Sequence, residues 1–359
     1  MSTVTVSNES RARRAHKRAL GWSLVAILVG AVVAPLGGYV YVAQAQDEAA
    51  WEQNPRSETW RDAREGEGGY TSASGPFTTN TLIDGSGENW RQARNGPVAG
   101  LTPWLMAIAL LAIGLFHIFF GRNRLEETPS GNRVKRWAGW ERTLHWFTAS
   151  TFIVLAITGL SLLFGRAVLI PLMGPEGFAA WAGVAKSTHN LIGPAFTVGV
   201  LLILVSWMRY NIPNRTDVEW FKKGGGLIGK GHASAGRMNG GEKAWFWFIA
   251  TAGVVVCATG LILDFPNFQQ SRGVMQLSSL IHAVVSIGWI ALALGHVYIG
   301  TLGTEGALEG MTTGYVSEEW ARQHHDQWLD EVKGQAGATE EEPVPGGGPA
   351  HGPAQRQPD

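Results

Sequence analysis

Cysteine is almost absent from this sequence, which has one, Cys257, among 359 residues. A lone cysteine cannot form a disulfide within the chain, and no CxxC pair for zinc or CxxCH site for covalent haem exists. The chain by itself also cannot hold an iron–sulfur cluster on cysteine thiolates. Cys257 lies in an apolar stretch, where we expect it to be a small packing residue.

Charge is the second scarcity. Charged residues make up 16% of the chain, against the usual quarter, and the zero net charge gives no global field for nucleic acid. The charges are also clustered, which leaves six windows without any, each long enough for a transmembrane helix. These windows are 19–46, 95–121, 143–165, 187–208, 244–263 and 273–304. The sequence therefore predicts an all-α, polytopic membrane helix bundle.

The basic residues orient these spans, because cytoplasmic loops carry an excess of lysine and arginine. Basic residues are concentrated before the first window and in segments 121–142 and 209–243, and are few in segments 166–186 and 265–278. This pattern predicts six spans with both termini in the cytoplasm and with 166–186 and 265–278 as external loops. The first window is also compatible with a signal peptide cleaved after Ala45, and residues 46–98 are external in either case.

Two similar stretches lie in that external segment, ETWRDAREG at 58–66 and ENWRQARNG at 88–96. We expect each to be a short helical turn closed by glycine. The pair is either a docking surface for an external partner or a small self-packed cap. At the other end of the chain, 316–332 is predicted to be a surface helix, and the Gly/Pro-rich composition that follows predicts disorder.

Four histidines occur in the predicted spans at two matching depths. His145 and His296 lie near the cytoplasmic side, and His189 and His282 near the external side. An ionisable ring in a span is costly and needs a partner, whereas a neutral imidazole can ligate haem iron without any buried charge. The pattern predicts two haems with two histidine ligands each, an arrangement suited to electron transfer.

Other roles for these histidines are weaker. No span contains the interior acidic or basic residues that would continue a proton relay, and zinc sites need three or four close ligands rather than pairs. The glycines of ITGL (157–160) and ATGL (258–261) admit either a flat macrocycle or a neighbouring helix. His117 is expected to be structural, His16, His232 and His351 to be solvated, and His324 and His325 to meet a partner or the membrane surface.

WERTLHW, STHNLIG, LIHAVVSIG and LGHVYIG, in this order, resemble the gamma (cytochrome b) subunit of membrane-bound formate dehydrogenase. The resemblance covers about 133–333 and extends to NIPNRTDVEW, NGGEKAWFW and WARQHHDQW. Residues 1–120 look like the N-terminal extension of the longer proteobacterial type. The implied organisation is a basic N-terminus (1–18), a first span or signal peptide (19–45), an exported segment (46–98), a span (99–121), a four-helix di-haem cytochrome b domain (122–304), a tail helix (305–335) and a disordered tail (336–359).

The resemblance implies a non-catalytic electron-transfer subunit of a formate:quinone oxidoreductase in the bacterial inner membrane. Its partners would be an iron–sulfur (beta) subunit and a molybdenum or tungsten catalytic (alpha) subunit. The implied cofactors are two b haems, one ligated by His145 and His296 and the other by His189 and His282. Quinone, either menaquinone or ubiquinone, would be reduced beside the inner haem, in a pocket to which Asn239, Gly240 and Gly241 contribute.

Two alternatives stay open on the sequence. One is the cytochrome b of a nickel–iron hydrogenase or of another respiratory reductase, which shares the frame of four histidines. The other is a membrane anchor without redox function, in which the histidines are structural. In addition, Glu242 replaces a glutamine found in some relatives, and this replacement would affect proton delivery to quinone.

Overall fold

A computed structural model of the chain describes residues 85–226 and 233–340, together with short pieces at 61–62, 65, 69–70 and 81–83. The predicted first span, the choice between span and signal peptide, and most of the first repeat lie outside the described residues. His16, His232, His351 and all of the predicted disordered tail beyond 340 also lie outside them.

The described part is mostly helical. Its α-helices are α1 (Gly85–Ala93), α2 (Ala99–Phe120), α3 (Gly139–Trp207), α4 (Arg215–Lys222), α5 (Gly240–Phe248), α6 (Val254–Asp264), α7 (Arg272–Tyr298), α8 (Ala307–Thr312), α9 (Glu318–His324) and α10 (Asp326–Glu340). The 3₁₀ turns are Met208–Tyr210, Gly224–Gly226 and Pro266–Phe268, and the π-helical turns are Arg94–Val98, Ile249–Gly253 and Ile299–Gly303. Short strands β1 (Gly69–Tyr70) and β2 (Thr81–Ile83) pair antiparallel, as do β3 (Arg133–Lys135) and β4 (Tyr315–Ser317).

The long helix α3 is two antiparallel helices joined at Gly174. Gly174 has φ 76° and ψ 169°, a conformation outside the helical region, and Pro175 follows it. Thr158 of the first half meets His189 of the second half, and a Cβ added to Gly199 would lie 2.6 Å from the Thr148 hydroxyl. In both contacts, one residue lies about as far before Gly174 in the sequence as its partner lies after it. The predicted third and fourth spans are therefore the two arms of a helical hairpin.

Among the described residues, four continuous helical stretches are long and apolar enough to cross a membrane: 85–120, 139–210, 240–264 and 272–303. The second of these is long enough to cross twice, because it reverses at Gly174. These stretches coincide with five of the six predicted windows. The remaining window, 19–46, lies outside the described residues. The prediction of an all-α membrane helix bundle is confirmed.

Helix α7 is the centre of the bundle. It contacts α2, α3 and α6, and so joins the N-terminal span to the helices that follow. A cluster of buried apolar and aromatic side chains lies where α3, α5, α6 and α7 meet, and it includes Phe196, Phe246, Val256 and Trp289. Many apolar side chains on α2 and on the outer faces of the other helices are exposed, as expected for helices that contact lipid.

The structure corrects three predictions. Segment 166–186 is not a loop, since it is helical on both sides of the turn at Gly174. The second repeat does not end at its glycine, because Gly96 lies in the π-helical turn 94–98 that leads directly into α2. Residues 316–332 do not form one surface helix: they comprise β4, α9 and the start of α10.

These tail elements pack against the chain instead of lying on a surface. Strand β4 pairs with β3, and Val316, Trp320, Ala321, Trp328 and Leu329 form a second buried cluster. The predicted tail helix of 305–335 is therefore a folded unit of several elements. We call this unit, formed by β3, β4, α9 and the start of α10, the tail cap.

Candidate functional site

The four span histidines meet in two pairs. The ring centroids of His189 and His282 are 6.2 Å apart, and those of His145 and His296 are 6.4 Å apart. After the predicted topology, we call His189 and His282 the outer pair, and His145 and His296 the inner pair. These are the same pairs that matching depth predicts. Among the described residues, no three His, Cys, Asp or Glu side chains come together as a metal site.

The separation within each pair fits one metal ion between the two rings. A metal–nitrogen bond of about 2 Å and a distance of about 1.2 Å from that nitrogen to the ring centre put opposite imidazole ligands about 6.4 Å apart, centroid to centroid. Both observed distances are close to this value. Histidine is also a usual ligand of haem iron. The geometry fits the haem ligands expected from the sequence, and the ligation itself stays a prediction.

Threonine hydroxyls determine the orientation of the two outer rings. The Nδ1 atom of His189 is 2.9 Å from the Thr158 hydroxyl, and that of His282 is 3.2 Å from the Thr259 hydroxyl. Each hydroxyl donates its single hydrogen to a carbonyl of its own helix, at 2.8 Å to Val154 and 2.7 Å to Val255. With that hydrogen donated, each hydroxyl can accept from Nδ1–H, and the Nδ1 atom of His282 also lies 3.1 Å from the Val256 carbonyl, which can only accept. This arrangement leaves the Nε2 lone pair of each ring for a metal.

A glycine next to each threonine makes room for the same ring. A Cβ atom on Gly159 would lie 3.2 Å from Cε1 of His189, and one on Gly260 would lie 3.1 Å from Cε1 of His282. The sequence alone did not decide whether these glycines make room for a flat macrocycle or for a neighbouring helix. In the structure, the atom nearest to a Cβ added at each glycine is a histidine side-chain atom. The pairs Thr158–Gly159 and Thr259–Gly260 thus each form a contact surface for one imidazole, which we call its seat.

A cavity of about 410 Å³ lies beside the outer pair. His189 and His282 line it, and so do Gly159 and Gly260. Most of the other lining side chains are apolar, as expected for a site that takes a largely hydrophobic ligand. Its charged lining residues are Arg94, Lys186 and Asp264.

The inner pair lies among tryptophans. The indole of Trp245 stacks on His296 with centroids 4.8 Å apart and planes within 9°, and Trp146 meets His145 edge to face. The Nδ1 atom of His145 is buried and has no hydrogen-bond partner among the described residues. The inner pair therefore lacks the threonine seats of the outer pair and is positioned mainly by aromatic packing.

An aromatic cluster separates the two pairs. Trp289 lies seven residues from both His282 and His296 on α7, is 4% exposed, and packs against Phe152, Phe196 and Phe248. The two histidines are about 21 Å apart along this helix at 1.5 Å rise per residue. Trp289 and its neighbours therefore place apolar side chains between the two pairs.

Asn239, Gly240 and Gly241 form the start of α5. The Asn239 side chain accepts a hydrogen bond from the Glu242 amide at 2.9 Å, and the Glu242 carboxylate accepts one from the Asn239 amide at 2.9 Å. Both glycines pack under the Trp220 indole, where an added Cβ would come within 2.9 Å of ring carbons. The structure thus gives these residues a capping and packing role. Their role at quinone stays a prediction.

Glu242 also connects α5 to the tail cap. Its carboxylate is 3.1 Å from Nη2 of Arg136, whose guanidinium lies over the indoles of Trp137, Trp320 and Trp328 at 5.1 to 5.4 Å. The negative charge at this position is therefore paired within the chain, which sequence reasoning did not foresee.

His325 lies in the same cluster, contrary to its predicted contact with a partner or the membrane surface. Its side chain is fully buried, Nδ1 donates to the Gly236 carbonyl at 2.8 Å, and Nε2 is 3.1 Å from Nη2 of Arg136. Burial and the neighbouring Arg136 cation hold the pKa of His325 well below its usual value. His325 is thus a neutral acceptor that holds the tail cap on Arg136.

His117, expected to be structural, lies on α2 and has its Nδ1 atom 2.9 Å from the Tyr298 hydroxyl of α7. Sequence reasoning missed the roles of Thr158, Thr259, Trp245 and Trp289. The repetition of Thr-Gly in ITGL and ATGL was the only available signal for the first two. Nothing in the linear sequence pointed to the tryptophans, because the contacts depend on helix packing.

Residues 136–314 match the prokaryotic cytochrome b561 family. Together with the helical bundle and its histidine pairs, this match defines the class of protein as a membrane cytochrome b, which carries haem b.

Individual relatives narrow this class. The chain is 30% identical over 198 residues to the cytochrome b556(Fdn) subunit of the nitrate-inducible formate dehydrogenase of Escherichia coli K12, covering 54% of this chain and 88% of that protein. It is 28% identical over 204 residues to the cytochrome b556(fdo) subunit of E. coli K12, covering 56% and 93%. It is 27% identical over 214 residues to the formate dehydrogenase cytochrome b556 subunit of Haemophilus influenzae, covering 57% and 86%. The chain belongs to the family of formate dehydrogenase cytochrome b subunits.

Proposed function

We propose that this chain is the electron-transfer and anchoring subunit of a respiratory formate dehydrogenase in the bacterial inner membrane, with two b haems. The observation that carries the proposal is the spacing of the two imidazole pairs, 6.2 Å and 6.4 Å between centroids, at opposite ends of one bundle. When bound, the haems would carry electrons one at a time from an iron–sulfur subunit at the external face to quinone at the cytoplasmic face.

Each part of the chain contributes separately to this function. His189 and His282 would hold the outer haem, with Thr158 and Thr259 fixing their tautomers. His145 and His296 would hold the inner haem. Trp289 and its neighbours would exclude water between the two sites. The start of α5, with Asn239, Gly240 and Gly241, would border the quinone pocket, and no residue of this chain would act on formate.

Partners and topology follow the same proposal. The relatives are named as subunits of formate dehydrogenases, so the partners would be an iron–sulfur subunit and a molybdenum or tungsten catalytic subunit. The chain would cross the membrane several times, with its C-terminal tail cap in the cytoplasm, and with the N-terminus there too if the first span is retained. The basic segments 121–142 and 209–243 support this orientation.

The test is a difference spectrum of membranes that contain the complex, reduced first with formate and then with dithionite. Low-spin b-type bands that appear with formate and increase little with dithionite are the expected result. Bands that require dithionite would assign another donor, such as a hydrogenase, and the absence of bands in haem-replete cells would make the histidines structural.

Single-histidine variants then test the number of haems. His189→Ala should remove about half of the haem that the wild type contains per subunit, because the inner pair is left intact. His117→Ala is the control, since His117 faces Tyr298 rather than another histidine. Complete retention of haem in His189→Ala would contradict the assignment of the outer ligands.

A further inference from the structure

The second copy of the repeat reaches the outer histidine cavity. Arg94, the second arginine of ENWRQARNG, lies in the π-helical turn 94–98 and is one of the residues that line this cavity. Helix α1 and this turn both contact α7, the helix that carries His282. The described end of the segment predicted to be exported, at Arg94, therefore forms part of the wall of the cavity.

The two arginines of this repeat have different surroundings. Arg91 is exposed and pairs with Glu88 of its own helix, with 2.7 Å between the charged groups. Arg94 is half-buried at the cavity, and its Nη1 atom donates to the Asn95 side chain at 2.9 Å, a neutral acceptor. A cation held against an apolar wall is costly unless an anion accompanies it. Arg94 is thus suited to an anionic ligand in the cavity.

The charges around the cavity are consistent with such a ligand. Arg94 and Lys186 are cationic, and Asp264 is the acidic residue among the lining side chains. A b haem carries two propionate carboxylates, and the planar guanidinium of arginine matches a carboxylate with two parallel hydrogen bonds. The imidazoles would hold the iron while these cations meet the carboxylates at the edge of the macrocycle.

We propose that Arg94, assisted by Lys186, binds the propionates of the outer haem, so that the second repeat copy is part of the haem site. The proposal rests on the proposed function, because it requires an outer haem between His189 and His282. It assigns the second copy neither to a docking surface for an external partner nor to a cap that packs only on itself.

A positive charge beside the haem favours the reduced form, since reduction removes one positive charge from the iron. Replacement of Arg94 by glutamine should therefore lower the reduction potential of the outer haem. We expect the reduction equilibrium to shift about tenfold towards the oxidised haem, which corresponds to about 59 mV for a one-electron couple. The inner haem, on the far side of the Trp289 cluster, should keep its potential.

The experiment is a redox titration of the purified complex, followed at the b-type absorption bands, with total haem measured per subunit. Wild type is compared with Arg94→Gln, Arg94→Lys and Arg91→Gln. The reduction potential that is missing from the titration of His189→Ala is that of the outer haem. Arg94→Gln should lower this potential or release this haem, Arg94→Lys should stay near wild type, and Arg91→Gln should match wild type because its charge is exposed and already paired.

The outcomes separate this inference from the proposed function. A wild-type complex without b haem would contradict the proposed function. A wild-type complex with two haems, in which Arg94→Gln behaves as Arg91→Gln does, would overturn the role of Arg94 and leave the function standing. If Arg94→Gln does not accumulate in the membrane, Lys186→Gln decides: a lowered outer potential supports the cationic site, and an unchanged one refutes it.

Discussion

At the scale of single residues, each outer histidine has its Nδ1 atom within hydrogen-bond distance of a threonine hydroxyl, which leaves Nε2 available to a metal. This division follows from the hydroxyl hydrogens, which are already donated to Val154 and Val255. A histidine whose Nδ1–H is held in this way presents Nε2 in a fixed direction, the usual requirement for a metal ligand. Thr158 and Thr259 are therefore positioning residues for the outer pair.

We predict that Thr158→Val and Thr259→Val weaken haem binding at the outer site. Valine keeps the volume of threonine but removes the acceptor, and loss of such a partner of a metal-ligating histidine typically costs about 10–100-fold in affinity. The measurement is the haem content per subunit, by the pyridine haemochrome method, during dilution or competition with a haem-binding apoprotein.

Two controls accompany the threonine variants. Thr158→Ser retains a hydroxyl and should bind haem like the wild type. Thr151→Val removes a hydroxyl that contacts only carbonyls of its own helix, so it should also retain both haems. Equal haem retention in Thr158→Val and Thr151→Val would show that the Thr158 hydroxyl does not affect haem binding by His189.

At the scale of elements, the reversal at Gly174 decides whether His145 and His189 can belong to one bundle. Both histidines lie in α3, and an uninterrupted helix of 69 residues would carry them far apart along one axis. The left-handed turn, followed by Pro175, folds the second arm back on the first. Thr158 then reaches His189, which lies 31 residues further along the chain.

Gly174→Ala should destabilise this hairpin. With φ 76° and ψ 169°, Gly174 occupies a region that is essentially restricted to glycine, and a side chain there costs about 1–3 kcal/mol. We expect a lower midpoint temperature for thermal unfolding of the purified complex, measured as loss of haem absorbance. The haem signal should report the change because the seat of His189 depends on the hairpin.

Gly183→Ala is the matched control for this change. Gly183 lies in the same helix, and an added Cβ would meet nothing within 4 Å. Alanine is favoured over glycine inside a helix by about 0.5–1 kcal/mol, so this variant should be as stable as wild type or slightly more stable. A Gly174→Ala variant as stable as Gly183→Ala would contradict the argument from backbone conformation.

At the scale of the whole molecule, the tail cap connects the C-terminal tail to the segment before α3 and to the start of α5. Arg136 is the common point, since it contacts Glu242, His325 and three tryptophans. His325 must be neutral to accept from this cation. The cap should therefore be sensitive to pH even though His325 lies away from the histidine pairs.

We predict that acid loosens the tail cap. The pKa of His325 is lowered in the folded state, whereas an exposed histidine has a pKa of about 6.5. The unfolded cap thus binds more protons, and the stability that His325 contributes is present above about pH 6.5 and is lost as the pH falls below this value. Hydrogen exchange of segment 318–329, corrected for intrinsic rates, should speed up between about pH 7.5 and 5.5.

His325→Gln should remove this dependence on pH, because glutamine stays neutral throughout the range. His117→Gln, which changes a histidine on α2 remote from the cap, should keep the wild-type dependence. An unchanged slope in His325→Gln would assign the effect to another group.

The fold class and the histidine pairs were predictable because they depend on local properties. Charge-free windows of about 20 residues mark spans, and the alternation of basic loops sets their direction. Together these properties assign a depth to each histidine, so His145 could be matched with His296, and His189 with His282, without a structure. Quoted motifs such as STHNLIG and LGHVYIG added the resemblance to formate dehydrogenase cytochromes b, and the relatives confirmed the family.

Only the tertiary structure decided which side chains surround those histidines. Thr158 meets His189 because α3 reverses at Gly174, and Arg94 reaches the cavity because the π-helical turn carries the second repeat onto α7. The buried position of His325 likewise depends on β3 pairing with β4, in which Val134 pairs with Val316, 182 residues further along the chain. Hydropathy and charge report the environment of one segment at a time, whereas such contacts depend on how separate helices turn and pack, which no single segment encodes.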